Sequence, residues 1–267
     1  MTPSWKPWER TSGRFVTVRV VDETGSTNAD LVERARNGLP AGDVLIARHQ
    51  TSGRGRQGRS WFDRPDSSLL MSWSIDIDAT LAPLVPLAAG VAVTRAMEGV
   101  AGDGVIALKW PNDVLAPGHD ERKVAGILAE AVPARAPSDV SGGPLLRVVV
   151  GMGVNVDLDG GVVPDEVAAR AVDLVTLAGG PIDRAALVDA LLDACDDAID
   201  LLEQSTTGLI EDYRRRCLTI GRSVRFETAT GQLDGVVQTV GLDGSLVLEQ
   251  ADGTIRHLTA GDAHHVA

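Results

Sequence analysis

Between Arg48 and Trp61 the chain reads Arg-His-Gln-Thr-Ser-Gly-Arg-Gly-Arg-Gln-Gly-Arg-Ser-Trp. Arg48, Arg54, Arg56 and Arg59 are interleaved with Gly53, Gly55 and Gly58, in a protein whose net charge is −12. Glycine lets a backbone approach a ligand closely, and arginine offers a planar, permanently charged fork for phosphate or carboxylate oxygens. A flexible cationic loop of this composition suits a small anion, although a solvated arginine loop has the same composition. The stretch also reads G-x-G-x-x-G, but Ser60 to Asp66 contains Pro65 and opens no helix. Without a helix N-terminus to receive a pyrophosphate, the dinucleotide fingerprint has no mechanism.

Other polar residues stand at positions where chemistry is commonly held. Ser26, Thr27 and Asn28 open a helical pattern that runs to Arg36, and they serve equally as caps or as partners of a polar ligand. Gln50 ends a strand at the mouth of the arginine loop. Lys109-Trp110-Pro111-Asn112-Asp113 forms a proline-forced turn between two strands, which is also ordinary turn chemistry. Lys123 leads an apolar strand to Glu130, as an edge residue or an anion ligand, and Gly126 within it marks a close approach. Asn155 ends the run Gly151-Met-Gly-Val-Asn, where a buried amide must find partners. No Walker-type phosphate loop is present, so any nucleotide must be held by another device.

Strands are expected at 15–21, 40–50, 68–77, 105–115, 123–130 and 146–156. Long helices are expected at 81–100, with Pro83 and Pro86 in the first turn, and from Asp183, whose acidic residues would face solvent. A proline-, serine- and glycine-rich loop spans 133–144. A last helix ends near Cys217, and from Ile220 short strands alternate with turns marked by Asp234-Gly235, Asp243-Gly244 and Asp252-Gly253. His264-His265 reads as a solvated tail. Cys195 and Cys217 lack metal or redox spacing and read as reduced thiols. With 267 residues and 44% hydrophobic content the chain can bury a large core. The acidic balance argues against a general nucleic-acid binder, and the start has no apolar signal core. No run is expected to span a bilayer.

In this order, Ser26-Thr27-Asn28, Gln50 with Gly53 to Arg59, Lys109 to Asp113, Lys123 to Glu130 and Gly151 to Asn155 resemble biotin protein ligase. The likeness covers about residues 20–160 by motif and the rest by layout. It implies an α+β fold: a mixed-sheet catalytic domain of the biotin/lipoate ligase type over 1–219, and a small SH3-like β-barrel over 220–267. The first twenty residues are too few for a helix-turn-helix module, so the monofunctional type, without DNA binding, is expected. The implied activity makes biotinyl-5′-AMP from biotin and ATP with Mg²⁺, then biotinylates a lysine of a biotin carboxyl carrier protein.

By that resemblance Lys123, Arg54 and Arg56 are catalytic. Ser26, Thr27, Asn28, Gln50, Gly55, Trp61 and Gly126 join them around biotin and the adenylate. Arg59, Asn112, Asp113 and Asn155 face the nucleotide, with Asp113 toward Mg²⁺. A cytoplasmic monomer or weak homodimer, with no membrane partner, is expected. Gln57 departs from the pattern, since many bacterial relatives carry another arginine there. Two other readings remain. A lipoate- or octanoate-attaching enzyme would want a more apolar slot than Ser26, Thr27, Asn28 and Gln50 provide. A nucleic-acid binder would want more than 3% aromatic residues.

Overall fold

The computed structural model describes residues 10–134, 143–159, 161–228, 231–259 and 261–266. Most of the expected 133–144 loop lies outside them.

A seven-stranded mixed sheet organises the first part of the chain. Its strands are β1 (Thr17–Thr24), β2 (Asp43–Gln50), β3 (Ser68–Asp78), β4 (Ala107–Lys109), β5 (Asp113–Ala116), β6 (Arg122–Pro133) and β7 (Leu145–Asn155), in the order β1-β2-β3-β7-β6-β5-β4. β1 and β2 run parallel, with α1 (Thr27–Arg36) as their crossover, and the other pairs are antiparallel. Period-2 alternation sorts β3 cleanly. Leu69, Met71, Trp73, Ile75 and Ile77 join the main core, while Leu70 and Ser72 face the opposite side.

Helices α2 (Val85–Ala101), α5 (Arg184–Gln204) and α6 (Thr206–Arg216) cover the core side, and the short α3 (Asp165–Ala168) and α4 (Leu174–Ala178) precede α5. Pro83 lies in a single 3₁₀ turn before α2 and Pro86 in its first turn, where a missing N–H costs nothing. The stretch Ala82–Ala101 has the length and apolarity to cross a membrane, but 67% of its apolar window is buried inside the protein, as in the core helix its composition suggests. Asp183 caps α5 by accepting from the Ala185 and Ala186 N–H groups. The acidic residues of α5 are not all free in solvent: Arg10 pairs with Asp193 and Arg14 with Asp200 and Glu203.

The last part is a five-stranded antiparallel sheet of β8 (Ser223–Thr228), β9 (Gly231–Val240), β10 (Leu246–Glu249), β11 (Ile255–Leu258) and β12 (Ala263–His265), ordered β11-β10-β9-β8-β12. Asp243-Gly244 and Asp252-Gly253 make turns, as read. Asp234-Gly235 does not: it lies inside β9, where a Cβ on Gly235 would meet the Glu249 carbonyl oxygen at 2.4 Å. That glycine is there for close packing of strands. The two histidines are no tail either. Both lie in β12, and the ring of His265 sits 2.9 Å from Glu121 and 3.3 Å from Thr219 Oγ1.

Trp110 ties the two sheets together. Its backbone N–H donates to Thr219 Oγ1 (3.0 Å), its indole N–H to the Gly244 carbonyl (3.0 Å), and its ring lies 5.9 Å from that of Phe226. It is fully buried, and truncating such a side chain typically costs about 3–5 kcal/mol. Trp110→Ala should therefore lower the unfolding free energy by about that amount in denaturant titration. A loss under about 1 kcal/mol would show that the two sheets are joined elsewhere.

Candidate active site

One cleft opens on the face of the large sheet away from α2 and α5, with a cavity volume of about 140 Å³. Its floor is made by backbone. Gly126 on β6 and Gly153 on β7 are register partners, and Leu70 on β3 is opposite Gly153. A Cβ on Gly153 would meet the indole of Trp61 at 2.6 Å, and one on Gly126 would meet the same ring at 2.9 Å and the Lys123 ammonium at 3.0 Å. The paired glycines therefore let Trp61 and Lys123 lie flat on the sheet. The Trp61 indole nitrogen is buried without a hydrogen-bond partner.

The first end of the cleft is polar. Ser26 caps α1, so Thr27 and Asn28 enter its first turn facing inward. The Gln50 side-chain carbonyl accepts from the Thr27 N–H (2.7 Å) and hydroxyl (3.0 Å), and Ser72 Oγ lies 2.8 Å from the same hydroxyl. Asn28 donates to Glu130 (3.1 Å), while its Oδ1 is buried beside Gly151 with no partner. Gln50 is itself held: its N–H donates to the Asp63 carboxylate (2.8 Å), whose pKa is raised by burial against the opposing effect of that bond and of His49.

Charge gathers at the other end. The register of β5 on β6 shifts between Val114 and Leu115, so Val124 is an extra residue. A bulge re-aims its neighbours, and the Lys123 ammonium reaches Asp113 Oδ1 at 2.6 Å and lies 5.4 Å from the centre of the Trp61 ring. The Lys123 backbone is pinned as well, its N–H donating to the Arg170 carbonyl (2.7 Å). Lys109, register partner of Asp113, has its pKa pushed down by burial, against the pull of Asp113.

Over this end folds the arginine loop, with backbone bonds from the Gly55 N–H to the Arg59 carbonyl (2.7 Å) and from the Trp61 N–H to the Gly53 carbonyl (3.0 Å). Gln57 stands in the left-handed region at φ 56° and its amide oxygen accepts from Arg59 (3.1 Å). Arg56 donates to Asn112 Oδ1 (3.0 Å), and burial pushes its pKa down, partly offset by Asp113. Arg56 also reaches Asp262 Oδ1 (3.2 Å) and the Gly261 carbonyl (3.2 Å), and Arg59 pairs with the same carboxylate.

Every expected site residue except one lines this cleft: Ser26, Thr27, Asn28, Gln50, Arg54, Gly55, Arg56, Arg59, Trp61, Asn112, Asp113, Lys123 and Gly126. The exception is Asn155. It is buried, and its amide donates to the carbonyls of Lys123 (3.0 Å) and Val172 (3.3 Å). These bonds hold the Lys123 backbone in place. Lining residues that the sequence did not single out include Ser72 and Asp262. Ser72 follows from the alternation of β3, whereas Asp262 had no local signal. Among the described residues no cluster of three or more metal-ligating side chains occurs.

The biotin/lipoate A/B protein ligase family model matches residues 19–155, and that of the biotin protein ligase C-terminal domain matches 219–266. A Mycobacterium tuberculosis protein named biotin–[acetyl-CoA-carboxylase] ligase is 37% identical over 92% of this chain and 88% of its own. A Bacillus subtilis protein, named bifunctional ligase/repressor BirA, is 32% identical over 87% and 69%. Among solved structures, biotin protein ligase from Aquifex aeolicus in complex with biotin and ATP is similar at TM-score 0.74, with 25% identity over 92% of this chain and 97% of that one. The chain belongs to the biotin/lipoate A/B protein ligase family and carries the C-terminal domain of its biotin protein ligases.

Proposed function

We propose that this cleft joins biotin to ATP and then passes the biotinyl group to a lysine of a biotin carboxyl carrier protein domain of an acyl-CoA carboxylase. The observation that carries this reading is the cleft's two-ended chemistry: a polar, partly unsatisfied end and a cationic end, joined by a flat glycine floor. Biotin's ureido ring offers N–H donors and a carbonyl acceptor, which match the buried Asn28 Oδ1 and the set of Ser26, Thr27, Gln50 and Ser72. A lipoyl or octanoyl chain would leave the buried Asn28 Oδ1 unpaired, at about 1–3 kcal/mol.

In the first step an oxygen of the biotin carboxylate attacks the α-phosphorus, the bond to the β-phosphate breaks, and pyrophosphate leaves. Two anions meet, so cations must offset their repulsion and the charge that develops. Lys123 serves at the junction of carboxylate and α-phosphate, with Arg54 and Arg56 closing over the adenylate and Arg59 facing the phosphates. In the second step a carrier lysine attacks the carbonyl, and AMP departs with the bonding electrons. Trp61, lying along the floor, keeps water from the mixed anhydride.

Asp113 and Asn112 would hold Mg²⁺ with the nucleotide. One carboxylate beside substrate phosphates fits that ion, which supplies charge neutralisation when bound. The reading carries a cytoplasmic location and a monomer or weak homodimer, with the domain boundary at 219/220.

Loss of the Arg56 fork should weaken retention of the adenylate by about 1.5–3 kcal/mol, the cost of a charge-assisted hydrogen bond. Arg56→Ala should accordingly leak free biotinyl-5′-AMP about tenfold to a hundredfold faster in a filter-binding assay. An unchanged leak rate would remove Arg56 from the site. The transfer half is tested by mass spectrometry of a carrier domain incubated with the protein, biotin, ATP and Mg²⁺. A single biotinyl gain on lysine is expected, and no gain from preformed adenylate would refute the transfer.

A further inference from the structure

Four basic side chains crowd the charged end of the cleft, and carboxylates hold three of them. Lys123 is paired with Asp113 of the neighbouring strand β5. Arg56 and Arg59 are held by Asp262, some two hundred residues away, on the turn before β12 of the C-terminal sheet. The Asp262 side chain is only 17% exposed, and the adjacent Gly261 carbonyl adds a second acceptor for Arg56. Gly261 itself has φ 128°, and a Cβ there would strike the Phe226 ring at 2.5 Å. Backbone conformation and packing thus both fix where the acceptor pair stands.

From this arrangement we infer that Asp262 is a positioning residue of the adenylation site, which holds the arginine pair over the cleft before nucleotide arrives and yields it to the phosphates. The inference rests on the nucleotide reading above. A loop of seven residues with three glycines has much freedom to lose on closing. With Asp262 the C-terminal sheet bears part of that ordering in advance, so ATP meets a preformed cationic wall. A carboxylate is also an anion of the kind the guanidinium fork binds as phosphate, so the handover exchanges one oxygen acceptor for another. Direct contact with substrate is not required of Asp262, because it acts through Arg56 and Arg59. The C-terminal sheet is therefore part of the catalytic unit.

The test uses the full chain as wild type, Asp262→Asn, which keeps the shape and loses the charge, and Asp262→Glu, which keeps the charge. Hydrogen exchange across residues 53–59 without ligands reads the positioning directly. Asp262→Asn should exchange there about tenfold faster than wild type, the worth of one charge-assisted hydrogen bond, while residues of β3 and β7 keep their protection. In biotin-dependent pyrophosphate release its KM for ATP should rise about tenfold, with kcat and the biotin dissociation constant nearly unchanged and Asp262→Glu restoring most of the loss. Wild-type loop protection in Asp262→Asn, or a KM for ATP that stays the same or falls, would overturn the inference. The exchange experiment contains no nucleotide. A wild-type protein that releases no pyrophosphate with biotin would sink the functional reading, and the loop comparison would still judge the positioning.

Discussion

Lys123→Ala should lower biotin-dependent pyrophosphate release by at least about 10²–10³-fold, the usual cost of removing one preorganised group aimed at developing charge. The ammonium is held 2.6 Å from Asp113 and above the Trp61 ring, and its backbone is clamped by Arg170 and Asn155. Its position is therefore fixed from several sides before substrate arrives, which is the condition for electrostatic catalysis without reorganisation at the moment of reaction. The fold should survive. The side chain is partly exposed, and its loss leaves one carboxylate facing the cleft, where water can solvate it. Pyrophosphate release within tenfold of wild type, with an unchanged thermal unfolding profile, would remove Lys123 from the chemistry.

Gly153→Val should be nearly as damaging, for a steric reason. Even a Cβ at this position meets three Trp61 ring atoms at 2.6 to 3.0 Å, and the valine methyl groups reach further. The indole must leave the floor, and overpacking of this kind costs about 1–3 kcal/mol. The expected outcome is adenylate that escapes or hydrolyses roughly 5- to 150-fold faster, since each 1.4 kcal/mol is a factor of ten. Quenching of Trp61 fluorescence by added iodide would report the displaced ring. Wild-type retention of the adenylate in Gly153→Val would show that Trp61 shields nothing.

The site was legible where its parts are local in sequence. A cap triad at a helix start, a lysine at the mouth of an apolar strand and an arginine–glycine loop each announce a backbone constraint with a polar group attached. Their order along the chain then carried the family resemblance. Asn155 is a partial case, since period-2 alternation puts it on the face of Gly151 and Gly153. Only the three-dimensional path of the Arg170–Val172 segment shows that it is covered, with its amide spent on Lys123 and Val172. Asp262 was invisible because nothing within ten residues of it marks a site. Its meaning comes from the docking of the C-terminal sheet on Trp110 and Thr219. Asp234-Gly235 reads as a turn by propensity, yet strand packing against Glu249 overrode the local preference. The helix 82–101 reads as a core helix from its alanine- and leucine-rich sequence, and its burial against the sheet and α5 agrees with that.

A single cleft, polar at one end and cationic at the other, is expected to adenylate biotin in preference to a plain acyl acid. The most direct test is pyrophosphate release from ATP and Mg²⁺ with biotin, lipoate and octanoate in parallel, with mass spectrometry of the bound product. Release with biotin alone and a biotinyl-5′-AMP peak that persists on the protein are expected. Release driven by lipoate or octanoate, with none from biotin, would contradict that preference.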